Sequence, residues 1–519
     1  MGSFKLKTIL FVTAFVVSAL MLYPPGMINE ALFWDDKAYI NNALIASGRA
    51  SPSQVSGPHA EERPPLFWWL ITAFFLLGAP IGIVRFISPT FGLLTVLAVF
   101  VFSWRIFRNI WTGFFSALLL STSYFYILTS SYILSDAMGA TLSILYILCL
   151  CLGFRERHAL WLSGPFLAFS IMARDQNLLL IPATILMMIW IFFKRLTLKL
   201  MLSTLLISGL GLILTTISLE EVLQYISNII TPIVIDPLFF SLTLILSGLC
   251  LLLSITPPSI REVGVDGIQS TDLMFDLLLA FFSALSILYP YFVDNYRLSA
   301  EYQIVGRGVL SRPISHLMMA RTGIGTELPP WAMRIQWIKH VIQFITMPIL
   351  ALAMIGSISA LKKEKHTGII LTTWSLLSLG YVVFFTHLEA RFLIQCFPPI
   401  FMLAGYGLSR IGNKNKLLCF LSMLLTTLFL VFPVGRNTLL PDISQTPITF
   451  SSLRILMRFE HVHKVWLTPY ITYLSTRMCS SIPRIQLIYP ILGLSSLILS
   501  VGVIYLIWRE LNLKPHSRR

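Results

Sequence analysis

Long apolar runs recur along almost the whole chain and constrain its fold more than any other feature. They lie near residues 8–23, 86–104, 111–130, 136–153, 159–173, 177–193, 200–217, 237–255, 273–291, 341–360, 368–386, 392–408, 417–434 and 487–507. The chain is 56% hydrophobic and 12% charged, with a mean hydropathy of +0.80. Since about 20 apolar residues cross a bilayer as one helix, we predict an all-α polytopic membrane protein with about 14 transmembrane helices, in a range of roughly 11–15.

One further run, Leu66 to Val84, decides the predicted topology because glycine and proline interrupt its far end. If it does not cross the membrane, a set of basic residues at helix ends is cytoplasmic; if it crosses, all of them are exported. They are Arg105, Arg108, Arg155, Arg157, Lys194, Arg195, Lys199, Lys362, Lys363, Lys365, Arg410, Lys414 and Lys416. The positive-inside rule therefore predicts that residues 66–79 form a juxtamembrane helix along the outer interface, with Trp68 and Trp69 at headgroup level.

The same topology divides the chain into two parts. Residues 1–435 form the main transmembrane module, which begins with a retained signal anchor whose N-terminus is inside. It carries a first outer loop at 24–65 and a second at 292–340, which proline and glycine residues predict to be a mobile lid. Residues 436–519 form an outer segment and a C-terminal transmembrane helix.

Charge, cysteine spacing and short motifs exclude several classes of protein. The net charge of +15 is scattered over loops and helix ends, so no nucleic-acid partner is expected. The six cysteines show no CxxC or Cys/His spacing, so neither a disulfide framework nor a zinc site is indicated. No strand is followed by GxGxxG and no GxxxxGK[ST] occurs, which argues against a soluble nucleotide donor.

The sparse charges converge on the outer side of the predicted topology. They are Asp35, Asp36, Arg63, Asp136, Arg174, His387, Glu389 and Arg391. The adjacent like charges of Asp35 and Asp36 are costly to bury, which favours chemistry over packing. A carboxylate could take the proton of an acceptor hydroxyl that attacks an anomeric carbon, while a cation stabilises a leaving phosphate. An outward-facing transferase needs a donor that arrives through the lipid, such as a polyprenyl-phosphate sugar.

Short motifs follow one another in a recognisable order through roughly the first 200 residues. They are Trp34–Tyr39 with Ser47-Gly48, Arg63–Leu70, Val84–Pro89 with Gly92–Val96, Leu134-Ser135-Asp136 and Met172–Asp175; downstream, His387–Phe392 precedes Pro398-Pro399. Together they resemble the GT-C polyprenyl-phosphate glycosyltransferases, in the subgroup of protein O-mannosyltransferases and lipid A aminoarabinose transferases. The downstream motif is also similar to the His-x-Glu-x-Arg-Phe turn of dolichyl-phosphate-mannose transferases that assemble glycolipids and N-glycans.

The resemblance implies an inverting transfer of a mannose-like hexose from dolichyl or undecaprenyl phosphate to an extracytoplasmic acceptor. Asp35 falls at the position of the family's catalytic aspartate. The other expected roles are orientation of the acceptor or a cation by Asp36 and Asp136, donor-phosphate binding by Arg63, Arg174 and Arg391, and substrate binding by Tyr39, His387 and Glu389. Arg63 stands where several relatives have lysine, which still allows a phosphate clamp, whereas Asp175 could neutralise Arg174.

Cofactor, acceptor and location are further expectations. No cofactor is required by the resemblance, although clustered carboxylates could hold a divalent cation, Mg²⁺ or Mn²⁺. The acceptor is a glycan, a glycolipid or a protein. The chain ends without an endoplasmic-reticulum retrieval signal, so we expect an integral multi-pass protein in a prokaryotic plasma membrane with an extracytoplasmic active site.

Other interpretations compete with this one. Near-membrane charges also mark the substrate path of a transporter or flippase of a lipid-linked or anionic substrate, although no inverted repeat of hydropathy is seen. A non-catalytic scaffold of a glycan-assembly complex would share the fold. Asp35, Asp36 and Asp136 could cap helices or interact with their dipoles, and Glu389 with Arg391 could form a structural pair.

Overall fold

A computed structural model of the chain describes residues 2–28, 34–50, 65–153, 157–181, 184, 330–385, 390–431 and 485–513, with isolated positions between 276 and 288. Regular structure in these ranges is entirely helical. The predicted runs 200–217 and 237–255, most of the outer loop 292–340 and the outer segment 436–484 lie outside the described residues. The chain divides into two compact units, Met1–Leu145 with Arg334–Ser375 and Glu389–Arg519, and Tyr146–Met333 with Leu376–Leu388.

The helices are, in chain order, α1 Gly2–Ile28, α2 Trp34–Ala46, α3 Pro65–Leu76, α4 Val84–Phe107, α5 Ile110–Thr122, α6 Tyr124–Ser131, α7 Asp136–Gly153, α8 Arg157–Ala173, α9 Pro330–Ile345, α10 Met347–Lys363, α11 Lys365–Phe385, α12 Phe397–Lys414, α13 Lys416–Val431 and α14 Ile485–Leu513. Short 3₁₀ helices occupy Ile81–Ile83, Asp175–Leu179 and Ala390–Cys396.

The predicted all-α, polytopic membrane class is confirmed, but the number of spans is not. Six helices of the described part are long and apolar enough to cross a bilayer, or seven if the bent pair α5 and α6 counts as one span. Helices α3 and α13 and most of α8 are shorter apolar helices. Several of these helices have the bounds expected from hydropathy, and α7 matches the run 136–153 to the residue.

Two predicted spans are broken, and polar residues mark both breaks. The run 111–130 bends by 66° between α5 and α6. There Ser123 is extended, and the Thr122 hydroxyl donates to the carbonyl oxygen of Leu118 at 2.9 Å, a contact that tends to bend helices. The run 341–360 is divided by Thr346, whose φ is 72°.

Helix α4 forms the core of the first unit. Of its 24 residues, 20 are buried, as expected for a helix that is apolar on every side. The buried hydroxyls of Ser88 and Thr95 hydrogen-bond to carbonyls or to another hydroxyl, whereas that of Ser103 has no partner among the described residues. Thr95 Oγ1 lies 2.7 Å from Thr141 Oγ1 of α7, and Tyr126 of α6 donates to the carbonyl oxygen of Gly92 at 2.7 Å.

Helix α12 packs between α5 and α10 through small residues. A Cβ atom on Gly407 would lie 2.2 Å from the carbonyl oxygen of Leu352 in α10, and one on Gly405 would lie 2.1 Å from the Ser116 hydroxyl in α5. Backbone contacts this close are typical of packing between membrane helices, where van der Waals contact rather than the hydrophobic effect drives association. The Thr112 hydroxyl of α5 also donates to Ser409 of α12 at 2.8 Å.

One end of the first unit gathers basic and aromatic side chains. The Lys7 ammonium lies 5.3 Å from the centre of the Trp104 ring. The Phe107 and Tyr406 rings stack at 4.0 Å, and Arg410 lies over Tyr406 at 5.3 Å. These contacts bring the start of α1 and the ends of α4 and α12 together, so the starts of α4 and α12 lie at the opposite end.

Helix α3 confirms that the run after residue 65 is a short helix, but its tryptophans are buried in protein. Trp68 is 8% exposed and Trp69 is 1% exposed, whereas we expected both rings at headgroup level. The helix packs against α2 and α14, and a Cβ atom on Gly493 of α14 would lie 2.7 Å from the Leu70 amide nitrogen. Whether α3 lies along the membrane interface stays a prediction.

In the second unit, helix α8 packs against a segment near residue 280. A Cβ atom on Gly164 would lie 2.2 Å from the carbonyl oxygen of Ala280. The Trp161 indole donates to Asp276 at 3.1 Å, which gives this buried carboxylate a hydrogen-bond donor. The contact is structural in character, because close backbone packing and an indole hydrogen bond account for it.

Candidate active site

The turn that leads into α7 receives hydrogen bonds from three other elements of the first unit. The Ser88 hydroxyl of α4 donates to the carbonyl oxygen of Leu134 at 2.9 Å. Tyr39 of α2 and Ser135 share a hydrogen bond of 3.0 Å between their hydroxyls. The Gln395 amide donates to the carbonyl oxygen of Asp136 at 3.2 Å. Three consecutive residues, one of them a predicted site residue, are therefore held from three directions.

Helix α2 brings the acidic pair towards this turn. Asp35 and Asp36 occupy the first turn of α2 rather than an irregular loop, a position where carboxylates also interact favourably with the helix dipole. Their side chains lie outside the described residues. Tyr39 follows Asp35 by four residues, so the two positions are one turn apart on the same face of the helix. The Tyr39–Ser135 hydrogen bond thus places the start of α2 near Asp136.

Tyr39 is a buried residue with contacts on two sides. Its side chain is 3% exposed, and its ring meets that of Phe67 in α3 edge to face, with 5.1 Å between centroids. The sequence predicted a substrate contact here, and that role stays a prediction. The contacts themselves join α2 to the turn before α7 and to α3, so they hold α2 in place.

Arg49 joins the other end of α2 to α3. Its guanidinium donates to the carbonyl oxygen of Ala79 at 2.6 Å and to that of Phe75, and it lies 4.9 Å from the centre of the Phe75 ring. A cation at the carbonyl end of a helix satisfies oxygens that have no partner within the helix and complements its dipole. Gly48, with φ of 71°, adopts the left-handed conformation that ends α2.

Asp136 is the first residue of α7 and is 1% exposed. A carboxylate in the first turn of a helix is stabilised by the helix dipole, which agrees with the structural interpretation raised above. The burial of Asp136 does not exclude a catalytic role. A buried carboxylate is energetically costly, and buried carboxylates are often found at functional sites.

Arg391 lies on the short 3₁₀ helix that connects to α12. The guanidinium is half-buried and 5.8 Å from the centre of the Phe392 ring. Gln395, on the same 3₁₀ helix, holds this element against α7 through Asp136 and through the Ser143 hydroxyl, which donates to the Gln395 side-chain oxygen at 3.4 Å. A cation and a carboxylate from distant parts of the sequence therefore lie on elements that are hydrogen-bonded together.

The remaining predicted residues are not joined to this arrangement. Arg63, His387 and Glu389 lie outside the described residues. Arg174 belongs to the second unit, where it is buried and donates through Nε to Gln176 at 2.8 Å. Within the part of the chain that the structure describes, no group of three or more histidine, cysteine, aspartate and glutamate side chains is placed to bind a metal.

Sequence reasoning did not single out Ser88, Ser135 or Gln395 as site residues. Ser88 and Ser135 stand inside motifs that carried the family resemblance, Val84–Pro89 and Leu134-Ser135-Asp136, so a signal for them existed. Gln395 follows Arg391 by four residues in an otherwise apolar stretch, and a polar amide at membrane depth is a recognisable signal for a hydrogen bond.

Comparisons with known proteins bear on the same segment. Residues 62–219 match the family of dolichyl-phosphate-mannose-protein mannosyltransferases, and no curated protein sequence matches the chain. Among solved structures, the chain is similar to ArnT from Cupriavidus metallidurans bound to undecaprenyl phosphate, at 12% identity and a TM-score of 0.47, over 98% of this chain and 77% of that one.

It is also similar to the archaeal oligosaccharyltransferase AglB from Archaeoglobus fulgidus, in complex with an inhibitory peptide and a dolichol-phosphate. That likeness has 10% identity and a TM-score of 0.44, and it covers 90% of this chain. The chain spans 61% of that protein's length. Both are distant likenesses.

The family match covers α3 to α8, including the Leu134-Ser135-Asp136 turn on which the hydrogen bonds converge. The motifs at Trp34–Tyr39 and His387–Phe392 lie outside it and rest on resemblance alone. Residues 62–219 thus match a family of polyprenyl-phosphate-dependent mannosyltransferases, in agreement with the resemblance expected from the motifs in this part of the chain.

Proposed function

We propose that the chain transfers a mannose-like hexose from a dolichyl or undecaprenyl phosphate to an acceptor on the extracytoplasmic side, with inversion at the anomeric carbon. The observation that carries this proposal is the convergence of α2, Asp136 and the Arg391 segment on one turn. The hydrogen-bonded elements carry Asp35 and Asp36, Asp136 and Arg391 in their sequences, and carboxylates and a cation are the two kinds of group that the proposed reaction needs.

In this mechanism the acceptor hydroxyl attacks the anomeric carbon of the donor. A new carbon–oxygen bond forms on one face as the bond from the anomeric carbon to the phosphate oxygen breaks on the other. Asp35 takes the hydroxyl proton as general base. The phosphate leaves with the bonding electron pair, and Arg391 and Arg63 stabilise its charge.

Asp36 and Asp136 orient the acceptor or hold a divalent cation in this proposal, and the donor-phosphate role expected of Arg174 stays a prediction. Transfer itself needs no metal. Chelation with EDTA should therefore leave the rate within about twofold, and a loss that Mg²⁺ or Mn²⁺ restores would assign a cation to the carboxylates.

The basic end of the first unit faces the cytoplasm in this proposal, because short loops rich in lysine and arginine stay inside. The candidate site, at the opposite ends of α4 and α12, then faces outward. The acceptor is a glycan, a glycolipid or a protein, and the host membrane is a prokaryotic plasma membrane.

The proposal is tested by a transfer assay in nanodiscs. Radiolabelled dolichyl-phosphate-mannose is supplied with crude lipid and glycoprotein fractions, and the wild type is compared with Asp35→Asn and with Glu364→Gln. Glu364 lies at the basic end, next to Lys363 and Lys365, so it is a matched carboxylate outside the site. Asp35→Asn should lower turnover at least about 1,000-fold, within the range reached when an essential base is removed, while donor binding persists.

The proposal is supported if the wild type and Glu364→Gln transfer label to one acceptor fraction and Asp35→Asn does not. That fraction then identifies the acceptor class. Equal transfer by wild type and Asp35→Asn would remove Asp35 from the base role. No transfer by any form, with intact protein, would refute mannose as the donor sugar.

A further inference from the structure

A second group of polar side chains is buried where the chain breaks between α9 and α10. His340 is 3% exposed, Gln343 is 7% exposed and Thr346 is 4% exposed; we call these three residues the α9–α10 polar cluster. In the part of the chain that the structure describes, the side-chain oxygen and nitrogen of Gln343 have no hydrogen-bond partner. The hydroxyl of Thr346 has none either.

Such groups are costly to retain. A buried amide that makes no hydrogen bond has lost its water without compensation, and nearly all buried polar groups in folded proteins are paired. Thr346 is also a β-branched residue with φ of 72°, a backbone conformation that such residues rarely adopt. Unsatisfied polar atoms and local strain at the same break are typical of a functional site whose ligand supplies the missing partners.

Aromatic contacts connect the cluster to the candidate active site. Phe344, beside Gln343, lies 4.2 Å from Phe125 of α6, and Phe125 lies 5.7 Å from Phe397 at the start of α12. Phe397 directly follows the 3₁₀ helix that carries Arg391 and Gln395. All of these residues belong to the first unit, so the cluster is connected through Phe125 to the start of α12, directly after the segment proposed to bind the donor phosphate.

The chemistry of the cluster selects one kind of ligand group. Gln343 and Thr346 can each donate and accept hydrogen bonds, and neither carries a charge. Burial lowers the pKa of His340 to about 4, so this imidazole is also neutral at neutral pH. The Trp337 ring lies 5.6 Å from that of His340. Neutral donors and acceptors beside aromatic rings suit the hydroxyls and apolar faces of a sugar, whereas a phosphate calls for cations.

We propose that Gln343 and Thr346 bind hydroxyl groups of the donor hexose, a proposal that rests on the proposed function. In the donor the hexose is covalently attached to the phosphate, so a phosphate held by Arg391 places the sugar next to this segment. The two side chains then act as specificity residues for the sugar and not for the polyprenyl carrier.

The test measures the affinity of the purified protein in detergent for two probes, dolichyl-phosphate-mannose and dolichyl phosphate. The wild type is compared with Gln343→Leu and Thr346→Val, which keep the side-chain size but remove the polar atoms. Thr372→Val in α11 is the matched control, because the hydroxyl of Thr372 is likewise buried without a partner among the described residues.

Gln343→Leu should weaken binding of the sugar-bearing probe roughly tenfold, and Thr346→Val by roughly threefold to tenfold, as expected for one or two lost neutral hydrogen bonds. Binding of dolichyl phosphate should stay unchanged for both variants, and the melting temperature should stay the same or rise, since no hydrogen bond within the protein is lost and a costly buried polar group is removed. Thr372→Val should bind both probes as the wild type does.

Three results would overturn this assignment. In the first, both variants bind the sugar-bearing probe as tightly as the wild type. In the second, they bind both probes more weakly or unfold at a lower temperature, which would indicate a structural role. In the third, they raise only the KM for the acceptor. Failure of the proposed function differs from these, because the wild type itself would then transfer no mannose in the nanodisc assay.

Discussion

Removing the hydroxyl of Tyr39 tests whether α2 is held in register with the start of α7. Tyr39→Phe eliminates the 3.0 Å hydrogen bond to Ser135 but keeps the edge-to-face contact with Phe67. A neutral hydrogen bond contributes about 1 kcal/mol net to stability, so the free energy of unfolding should fall by about 1 kcal/mol. Because a displacement of about 1 Å in a catalytic arrangement can cost about 100-fold in rate, we expect kcat to fall roughly 10- to 100-fold.

The assay is initial-rate transfer combined with a double-mutant cycle. Tyr39→Phe, Ser135→Ala and the double variant are compared for kcat, for donor KM and for thermal stability. The coupling free energy between the two residues should be about 1 kcal/mol in stability, because each single change removes the same hydrogen bond. The donor KM should change little, since neither hydroxyl is assigned to the phosphate.

A matched control comes from another tyrosine in the same unit. Tyr23 of α1 shares a 3.0 Å hydrogen bond with the Thr90 hydroxyl of α4, so Tyr23→Phe removes the same chemistry away from the acidic pair. It should lower stability by about 1 kcal/mol and leave kcat nearly unchanged. If Tyr39→Phe and Tyr23→Phe have equal kcat values, or if Tyr39 and Ser135 show no coupling, the positioning role of this contact is refuted.

Two further predictions concern packing and pH. Gly407→Ala places a Cβ atom 2.2 Å from the Leu352 carbonyl oxygen, so it should lower the free energy of unfolding by about 1–3 kcal/mol. Gly502→Ala in α14 is the control, because a Cβ atom there has nothing within 4 Å, and it should leave stability unchanged. Equal stability of the two variants would contradict the close contact. Burial lowers the folded-state pKa of His340 from 6.5 to about 4. The contribution of the neutral imidazole to the free energy of unfolding is therefore complete above pH 6.5. It is lost as the pH falls towards 4, by up to about 3 kcal/mol. His340→Gln should flatten the loss of stability between pH 7 and pH 4, whereas the control variant His366→Gln, at an exposed position, should keep the wild-type profile.

Two of the predicted site residues stand out in the sequence, because charged residues are rare in a chain made mostly of membrane helices. Asp136 stands at the start of a helix that hydropathy located to the residue, and Arg391 stands in a short polar turn between two apolar runs. The hydrogen bonds that join the elements carrying them could not be derived in this way. They involve Gln395 and Ser135, and they join segments about 100 to 260 residues apart in the sequence.

The breaks at Ser123 and Thr346 escaped sequence reasoning for a related reason. Hydropathy averages over about 20 residues, so one hydroxyl residue inside an apolar run does not register. Whether a serine or threonine bends a helix depends on which carbonyl its hydroxyl contacts and on what packs beside it. The burial of Trp68 and Trp69 in α3 could not be predicted for a similar reason. Only the arrangement of α2 and α14 decides whether an aromatic ring of α3 contacts lipid headgroups or protein.

The sequence by itself determined that the chain folds in lipid and where most of its helices lie, because the length of apolar runs and the rarity of charge are local properties that lipid imposes directly. Tertiary structure alone decided which of the sparse polar groups meet. Contacts between helices in a membrane depend on close backbone approach at glycines such as Gly407 and on single hydrogen bonds such as Tyr39–Ser135. These contacts join residues far apart in the chain, so no local pattern encodes them.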